Sequence, residues 1–268
     1  MYGGNDIAGS VEGSNGSTIV IGNNTCNREV EINSVYGGGN GYYQYGGMSA
    51  IDGANVQALA NGSQVKTFNG VDDGVALSAA NNVPSILKSN ITVSGSQTKI
   101  DSVFGGAKNA YLTQLGNVAA SIDIQNGVVN QVFGGNNYGG FIKGNIAIAL
   151  NGVVAPSATD NAQYATIGDA WGVRTIFGGG NIVEASGNVM INLLGGYVDT
   201  VFAGGNSATV GGTTVNVNFS NNTYTAGTEY DGATGFYNVR TLFGGNNQAE
   251  MSILPTLNLT RGGMGDVY

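Results

Sequence analysis

The sequence contains no histidine and only one cysteine, Cys26, and these absences exclude several kinds of site. Without histidine, neither a Ser-His-Asp triad nor a Cys-His pair can be assembled, and zinc sites built from imidazole and thiolate ligands are ruled out. A single cysteine leaves no disulfide within the chain. Cys26 is interpreted as a small residue in a polar loop, with an intermolecular bridge as the alternative. No cofactor is expected.

Charged residues are also scarce, at 10%, and the basic ones are the scarcer: 9 Lys plus Arg against 17 Asp plus Glu. Nucleic acids and anionic membrane surfaces both require a basic face, so neither is an expected partner. No apolar run approaches about 18 residues, so no membrane insertion is expected, and no signal peptide is visible at Met1. The surface must then be a neutral coat of Asn, Ser, Thr and Gly, which favours an extracellular or cell-surface location.

Proline is limited to 3 residues, whereas glycine is abundant, at 47 against about 19 expected from average usage. Disordered linkers are rich in proline and charge, and collagen places glycine at every third position. This chain does neither, and it keeps 41% hydrophobic residues. The composition therefore predicts a folded chain in which glycine has a conformational role.

One short motif recurs along the chain: a β-branched residue or Leu, an aromatic residue, glycines and an asparagine. Full or partial copies begin at Met1, Val35, Val103, Val132, Ile176, Val201, Leu242 and Val267. The aromatic residues Phe177 and Phe202 are 25 residues apart, as are Phe243 and Tyr268. A period of this length is typical of solenoids, in which each repeat forms one coil.

Each repeat contains two stretches with strand character. Before Phe202, the stretch Gly187–Leu193 alternates apolar and polar residues, and Tyr197–Phe202 is a second extended stretch. Such strands are too short and one-sided to fold alone, so we expect each to lie on its equivalent one coil earlier. A short third segment, as at Ile182–Ala185 and Ser207–Val210, is expected to complete the coil.

The long interval between Tyr36 and Phe104 is interpreted as hiding a degenerate copy at 55–62 and 65–70. Counted in this way, residues 1–268 form one all-β domain: a single-stranded parallel β-helix of about eight coils, roughly 38 Å long, with about 25 residues in an uninterrupted coil. We expect it to be right-handed, as parallel crossovers nearly always are. A helical turn or two is allowed only at Ala76–Lys88.

The asparagine four residues after each aromatic is predicted to form a stacked ladder, because its amide can bond its neighbour in the next coil. The ladder positions are Asn40, Asn137, Asn181, Asn206 and Asn247. Asp6 and Lys108 occupy this position in two coils, so we expect the ladder to be interrupted there. Arg174, Asp199 and Arg240 align in the same way, which predicts an alternating row of charges on an outer face.

These repeats resemble the Gly-rich parallel β-helix repeats of large secreted and surface proteins of bacteria. The resemblance covers essentially the whole chain and implies little about activity, since such solenoids serve as adhesins, passenger stalks, glycan-active enzymes and phage tail spikes. Because the first residues already lie inside a repeat, the chain is expected to be a segment of a longer repeat protein. Gly262–Asp266 is similar to a calcium-binding nonapeptide, but its acidic residue comes one position early and the period is 25, so a regular calcium roll is rejected and no metal site is predicted, with a single opportunistic ion as the alternative.

Departures from the 25-residue unit are concentrated in four insertions, and loops carry function more often than scaffolds do. The insertions lie near 23–31, 41–52, 151–171 and 221–238. The last two follow equivalent strands, so we expect them to emerge at the same corner, about 10 Å apart.

Three insertions carry aromatic residues whose rings would suit stacking on sugars. These candidate ligand-binding residues are Tyr42, Tyr43, Tyr45, Tyr164, Trp171, Tyr224, Tyr230, Phe236 and Tyr237. The alternative is that the rings hold their own loops against the solenoid. Acidic residues of the last two insertions are weak candidates for the carboxylate pair of a glycoside hydrolase, with solvated turn residues as the alternative. They are Asp160, Asp169, Glu229 and Asp231.

The sequence therefore favours a structural or adhesive, non-enzymatic segment of a secreted or cell-surface β-solenoid protein, whose insertions bind glycans or host or cell-surface macromolecules. A glycan-active enzyme on the same scaffold (a polysaccharide hydrolase or lyase, or a phage tail-spike type) is the alternative. A self-assembling filament is a third hypothesis. Val267-Tyr268 would continue into a coil like that of Tyr2, and uncapped ends expose strand edges that associate end to end.

Overall fold

The computed structural model describes residues 1–5, 10–11, 16–22, 29–41, 61–68, 71–78, 84–152, 172–221 and 238–268. Within them the chain is all-β, with no helix. The strands form a parallel sheet of eleven strands, called here the wide sheet, a parallel sheet of seven strands, called the narrow sheet, and one antiparallel pair.

The strands are mostly short and are distributed along the described parts of the chain. They are β1 (Ser10–Val11), β2 (Ser17–Ile21), β3 (Val30–Tyr36), β4 (Asn61–Phe68), β5 (Val71–Ser78), β6 (Ser85–Ile86), β7 (Ser89–Val93), β8 (Thr98–Phe104), β9 (Asn109–Leu112), β10 (Val118–Ile124), β11 (Val128–Phe133), β12 (Gly139–Ile142), β13 (Asn145–Asn151), β14 (Gly172–Phe177), β15 (Ala185–Gly195), β16 (Val198–Phe202), β17 (Val210–Asn218), β18 (Val239–Phe243), β19 (Thr256–Arg261) and β20 (Met264–Val267).

The narrow sheet takes one strand from each repeat, the one that leads to the aromatic residue. Its order is β3, β8, β11, β14, β16, β18 and β20, so each strand pairs in parallel with its equivalent one repeat later. Equivalent residues pair without a slip: Val103 with Val132, and Val132 with Ile176. The prediction that like strands lie on one another is therefore confirmed.

The wide sheet contains the other predicted strand of each repeat together with the third segment. β1, β6, β9 and β12 form one run, β2, β7, β10 and β13 form another, and both runs meet at the long strand β15. The third segments predicted at Ile182–Ala185 and Ser207–Val210 are only partly right, because just Ala185 and Val210 lie in strands. In those repeats the third segment has merged with the strand that follows it.

The core lies between the two sheets and is built from rows of β-branched residues. One row on the wide sheet, Ile91, Ile122, Ile148, Ile191 and Val215, pairs in register and is at most 1% exposed. Stacking like residues buries each row along its length, and each buried Val or Ile contributes about 1.5–3 kcal/mol relative to exposure. The two-residue alternation of the sequence therefore sets which side of each strand is buried.

The degenerate copy predicted at 55–62 and 65–70 is wrong. Tyr36 pairs directly with Phe104, so no coil lies between them, and β4 pairs with β5 in an antiparallel hairpin. The sequence held the signal for this outcome, because Asn69-Gly70 between two strand-like runs is a strong hairpin signal. Within the range Ala76–Lys88, where the sequence allows a helical turn, the described ends carry the strands β5 and β6, and 79–83 lie outside the described residues.

The insertions at 151–171 and 221–238 both connect a wide-sheet strand to the next narrow-sheet strand. One follows β13 and the other follows β17, and β15 lies between these two strands. The expected placement at one corner, two repeats apart, is therefore confirmed for their flanks. Most of each insertion lies outside the described residues, as do most of 23–31 and 41–52.

Candidate functional site

The candidate binding and catalytic residues of the insertions lie outside the described residues. This holds for all nine aromatic candidates, from Tyr42 to Tyr237, and for Asp160, Asp169, Glu229 and Asp231. Their roles stay predictions. The structure does describe the scaffold that carries them, and that scaffold contains four sets of side chains with defined geometry.

The first set is the predicted asparagine ladder. Asn181 Nδ2 donates to Asn137 Oδ1 at 2.9 Å, Asn206 Nδ2 to Asn181 Oδ1 at 2.8 Å, and Asn247 Nδ2 to Asn206 Oδ1 at 2.8 Å. Every bond runs from the later repeat to the earlier one. The backbone N–H of each ladder residue also bonds the previous repeat, as Asn181 N does with Asn136 O at 2.9 Å. Both the backbone and the side-chain amide of a ladder residue are therefore bonded to the neighbouring repeat.

The predicted interruption of the ladder at Lys108 is confirmed. Lys108 carries no amide, and Asn137 Nδ2 instead donates to the hydroxyl of Tyr36 at 3.0 Å. Burial raises the pKa of Tyr36, and the bond from Asn137 partly opposes that rise. The ladder therefore ends at Asn137, whose side-chain amide bonds the hydroxyl of Tyr36 in place of another asparagine. Asp6, the other expected interruption, lies outside the described residues.

The second set is a column of stacked aromatic rings along the narrow sheet. The rings are those of Tyr2, Tyr36, Phe104, Phe133, Phe177, Phe202, Phe243 and Tyr268. Successive centroids are 4.7 to 5.2 Å apart and the planes deviate by 4 to 13°. The strand spacing of about 4.8 Å sets this centroid distance, and near-parallel rings at that distance are stacked pairs. The middle rings are buried.

A second asparagine ladder, which the sequence analysis missed, lies on the outer face of the wide sheet. Asn216 Nδ2 donates to Asn192 Oδ1 and Asn258 Nδ2 donates to Asn216 Oδ1, both at 2.8 Å. All three residues follow an inward-facing apolar residue of their strand, as in Ile191-Asn192, Val215-Asn216 and Leu257-Asn258. An asparagine at the same position in successive strands is the pattern that predicted the first ladder, so the same reasoning would have predicted this one.

The Asn-Asn form of the motif has its own role. Asn136 Oδ1 accepts from Ala107 N at 2.7 Å, and its Nδ2 donates to Ala110 O and Gly139 O, both at 2.9 Å. Asn246 repeats this in another coil, where its Oδ1 accepts from Gly205 N at 2.8 Å. The first asparagine of the pair thus satisfies a backbone N–H of the preceding repeat, and only the second belongs to the ladder.

The third set is a polar row on the outer face of the narrow sheet. By register the row contains Asn33, Asp101, Asn130, Arg174, Asp199 and Arg240. Arg240 Nε lies 3.0 Å from Asp199 Oδ1, and Asn130 Nδ2 donates to Asp101 Oδ1 at 3.0 Å. The alternating charges predicted for Arg174, Asp199 and Arg240 are therefore aligned. An ion pair is observed between the last two, and amides replace charges earlier in the row.

The early part of this row lines a shallow groove of about 530 Å³. Its lining includes Glu31, Lys99, Asp101 and Arg174. Lys99 also forms an ion pair with Glu29, and its hydrogen bond and positive charge hold the pKa of Glu29 below its usual value. With charges of both signs engaged in lateral contacts and no aromatic ring, the groove has no group arranged for a particular ligand.

The fourth set comprises three carboxylates of the scaffold, each of which contacts neighbouring side chains through both oxygens. Asp123 accepts from Asn151 at 2.7 Å and from Gln125 at 2.8 Å. Asp101 accepts from Asn130 and from Ser102, and Asp199 meets Arg240 and Thr200. These contacts stabilise the faces of the sheets, and none of the three carboxylates is arranged as a catalytic acid.

Across the described ranges there is no helix of the length and apolar character needed to cross a bilayer. The same ranges contain no group of three or more acidic, cysteine or histidine side chains suited to a metal ion. No protein-family model matches the chain, and no curated protein and no solved structure matches it either.

Proposed function

We propose that this chain is a structural and adhesive segment of a secreted or surface-displayed β-solenoid protein, whose insertions meet glycans or other surface macromolecules. The proposal takes the wide and narrow sheets as faces of one right-handed parallel β-helix, the hand that parallel crossovers favour. The eight stacked rings are joined by seven steps, so the rod is about 34 Å long.

One observation carries the proposal: the aromatic column runs through every repeat without a gap, beside an asparagine ladder. Each stacked pair adds about 0.5–1.5 kcal/mol beyond burial, and each amide bond adds about 1 kcal/mol. The rings stack at all seven steps, and the amide ladder reinforces the three steps from Asn137 to Asn247. Within the described residues this continuous support suits the display of loops better than the closing of an active site.

The contacts of Asp101, Asp123 and Asp199 further support a scaffold role over the enzyme alternative, because a glycoside hydrolase needs two carboxylates facing a shared substrate. The insertions remain the place where ligands would bind, since both long ones leave the solenoid at the same corner.

The adhesive half of the proposal is tested by binding the purified chain to a glycan array. The double variant Trp171→Ala, Tyr237→Ala removes one aromatic from each of the paired insertions and is expected to lose the signal. Tyr138→Ala is the matched control, because Tyr138 is 50% exposed but lies on the scaffold. Binding that is absent in the parent chain, or equal in all three proteins, would contradict the adhesive role.

A second candidate is self-association of this chain, because β19 and β20 pair with a strand on one side only among the described residues. Leu259 is 43% exposed and Val267 is 40% exposed, whereas their partners Val217 and Leu242 are fully buried. Apolar residues on an unpaired strand edge promote pairing with another chain. Sedimentation velocity is expected to show concentration-dependent association that Val267→Lys abolishes. Strictly monomeric behaviour at high concentration would exclude this candidate.

A further inference from the structure

A second groove, of about 500 Å³, lies on the outer face of β12, β15 and β17 and shares no residue with the four sets of side chains described above. We call it the wide-sheet groove. Pairing of Ile142 with Ala185, and of Ala185 with Val210, places Phe141, Glu184 and Thr209 in one outward row. The side chains become smaller along that row, and also along the row beside it, which runs from Lys143 to Gly211. This decrease in size creates the groove. Its volume is within the range that holds a small ligand.

One wall of the wide-sheet groove is an aromatic platform. Phe141 stacks on Tyr111 with centroids 4.0 Å apart and planes 20° from parallel. Tyr111 belongs to the preceding repeat, and its hydroxyl is buried, which raises its pKa to about 12. The stack ends at Phe141, because the register places Glu184 next. Phe141 therefore presents to the groove a ring that is held in position from behind.

Polar groups surround this platform on the groove side. Lys143 Nζ lies over the Phe141 ring, 5.2 Å from its centroid, so a sugar stacked on that face would displace the ammonium to the rim of the ring; Lys143 and Glu184 are both exposed. Neither side chain forms an ion pair with any described residue. Ser186 Oγ donates to Ile142 O at 3.1 Å, which fixes the hydroxyl and leaves its lone pairs free to accept. A donor, an acceptor and an oriented hydroxyl thus converge beside one aromatic ring.

We propose that the wide-sheet groove binds one pyranose residue of a neutral glycan. A sugar ring presents an apolar C–H face, which suits Phe141, and hydroxyls on its edges, which suit Lys143 and Glu184 as charged hydrogen-bonding partners. The two local charges cancel, and the chain as a whole carries a net charge of −8, which disfavours an anionic sugar. The assignment rests on the proposed adhesive function and adds to it a binding site on the scaffold, apart from the insertions.

The test is a nuclear magnetic resonance titration of the isotope-labelled full chain with methyl glycosides of glucose, galactose and mannose, and with glucuronate. At least one neutral glycoside is expected to shift the backbone amides of 141–143 and 184–186, with millimolar affinity, as befits a single sugar. Glu184→Gln keeps the shape of the groove and is expected to weaken binding by at least about threefold. Phe141→Ala should abolish binding, and Tyr138→Ala should leave it unchanged.

The assignment is overturned if no amide of the wide-sheet groove moves, if glucuronate alone binds there, or if neither Glu184→Gln nor Phe141→Ala alters the affinity. Because Phe141→Ala also removes a stacking contact, Glu184→Gln decides the matter if that variant is unstable. Array binding that needs Trp171 and Tyr237 while the groove amides stay still would overturn this assignment alone. A silent array together with a still groove would overturn the proposed function as well.

Discussion

The two corners of each repeat behave differently. At the aromatic corner, the ladder position always comes four residues after the aromatic, from Tyr36 and Asn40 to Phe243 and Asn247. At the opposite corner, between a wide-sheet strand and the next narrow-sheet strand, the connection varies from 196–197 to 152–171. The spacing within the motif is therefore constant, and the long insertion that carries β4 and β5 begins only after the ladder position Asn40, whereas the opposite corner itself accepts long insertions.

The difference follows from what is bonded at each corner. At the aromatic corner, the ring, the glycine backbone and the asparagine amide all contact their equivalents in the next repeat: Gly135 N donates to Gly179 O, and Gly179 N donates to Gly204 O, both at 3.0 Å. An extra residue there would break all three rows at once. At the opposite corner there is no equivalent row of rings or ladder amides among the described residues. Additional residues there therefore cost mainly the entropy of closing a longer loop.

The largest effect is expected from inserting Gly-Ser at each corner in turn. Between Gly179 and Gly180 the insertion should remove about 5 kcal/mol or abolish cooperative folding, because it displaces Asn181 and Phe177 from their rows. Between Asn126 and Gly127 the same insertion should cost less than about 1 kcal/mol. Urea denaturation of both variants measures the difference, and equal losses would show that the two corners are alike.

The next largest effect is expected for Phe177→Ala, in the middle of the aromatic column. It removes a buried ring together with its stacking contacts to two neighbouring rings, and should lower the free energy of unfolding by about 3–5 kcal/mol. Tyr138→Ala, an exposed ring on the scaffold, should cost less than about 1 kcal/mol. A loss for Phe177→Ala no larger than that of its control would mean that the column does not stabilise the aromatic corner.

Gly106 and Asn136 should be coupled across two repeats. A Cβ added at Gly106 would overlap Asn136 Oδ1, so Gly106→Ala should cost about 1–3 kcal/mol. Asn136→Gly makes the motif read Gly-Gly-Gly-Asn, as at 178–181, and should remove the contact with Oδ1 at the loss of three hydrogen bonds, while the backbone contacts of the added Cβ with Gly135 C at 2.8 Å and Asn136 N at 2.9 Å remain. The double variant is therefore expected to be more stable than the sum of the single changes, by about 0.5–3 kcal/mol. Simple additivity in denaturation experiments would refute the contact.

The two ladders separate side-chain bonding from corner geometry. Asn206→Ala, at the aromatic corner, and Asn216→Ala, within a wide-sheet strand, each remove two amide bonds of 2.8 Å. Both should cost about 1–2 kcal/mol if the bonds dominate. A clearly larger loss for Asn206→Ala, measured by thermal and urea unfolding, would assign the excess to the corner backbone.

The smallest effects are expected for two tyrosine hydroxyls. Tyr36→Phe removes the acceptor of Asn137 and should cost about 1 kcal/mol, whereas Tyr111→Phe removes a hydroxyl with no described partner and should be neutral or slightly stabilising.

Burial raises the pKa of both tyrosines, so the folded chain holds their protons more tightly than the unfolded chain does. Their contribution is present below the unfolded value of about 10 and is lost as the pH rises towards about 12 for Tyr111. Stability should therefore fall above pH 10, and less steeply in Tyr111→Phe. An unchanged alkaline profile would contradict the assignment to Tyr111.

Much of this fold was predictable from the sequence, because its rows repeat the same residue types. Phe133, Phe177 and Phe202 mark equivalent positions, and strand register then places every other residue of the narrow sheet. The hairpin at β4 and β5 was misread because Phe68 imitates the aromatic of the motif. The repeat period alone does not distinguish a degenerate copy of the repeat from an inserted hairpin, whereas the Asn69-Gly70 pair indicates a hairpin.

The candidate sites were less predictable. The wide-sheet groove depends on the sizes of Phe141, Glu184 and Thr209, which are adjacent only because β15 joins two runs of strands. No periodic signal in the sequence reports that junction. The aromatic residues of the insertions stood out by composition alone, which indicates an exposed surface but no arrangement.

The shared direction of the asparagine bonds gives the rod a polarity. In both ladders the nitrogen points towards the first repeats and the oxygen towards the last, so Asn247 and Asn258 each present an oxygen atom beyond the final rung. A neighbour that extends these rows must offer nitrogen donors to that face. For the self-association proposed above, two copies meeting tail to tail would set oxygen against oxygen, so the proposal favours head-to-tail joining.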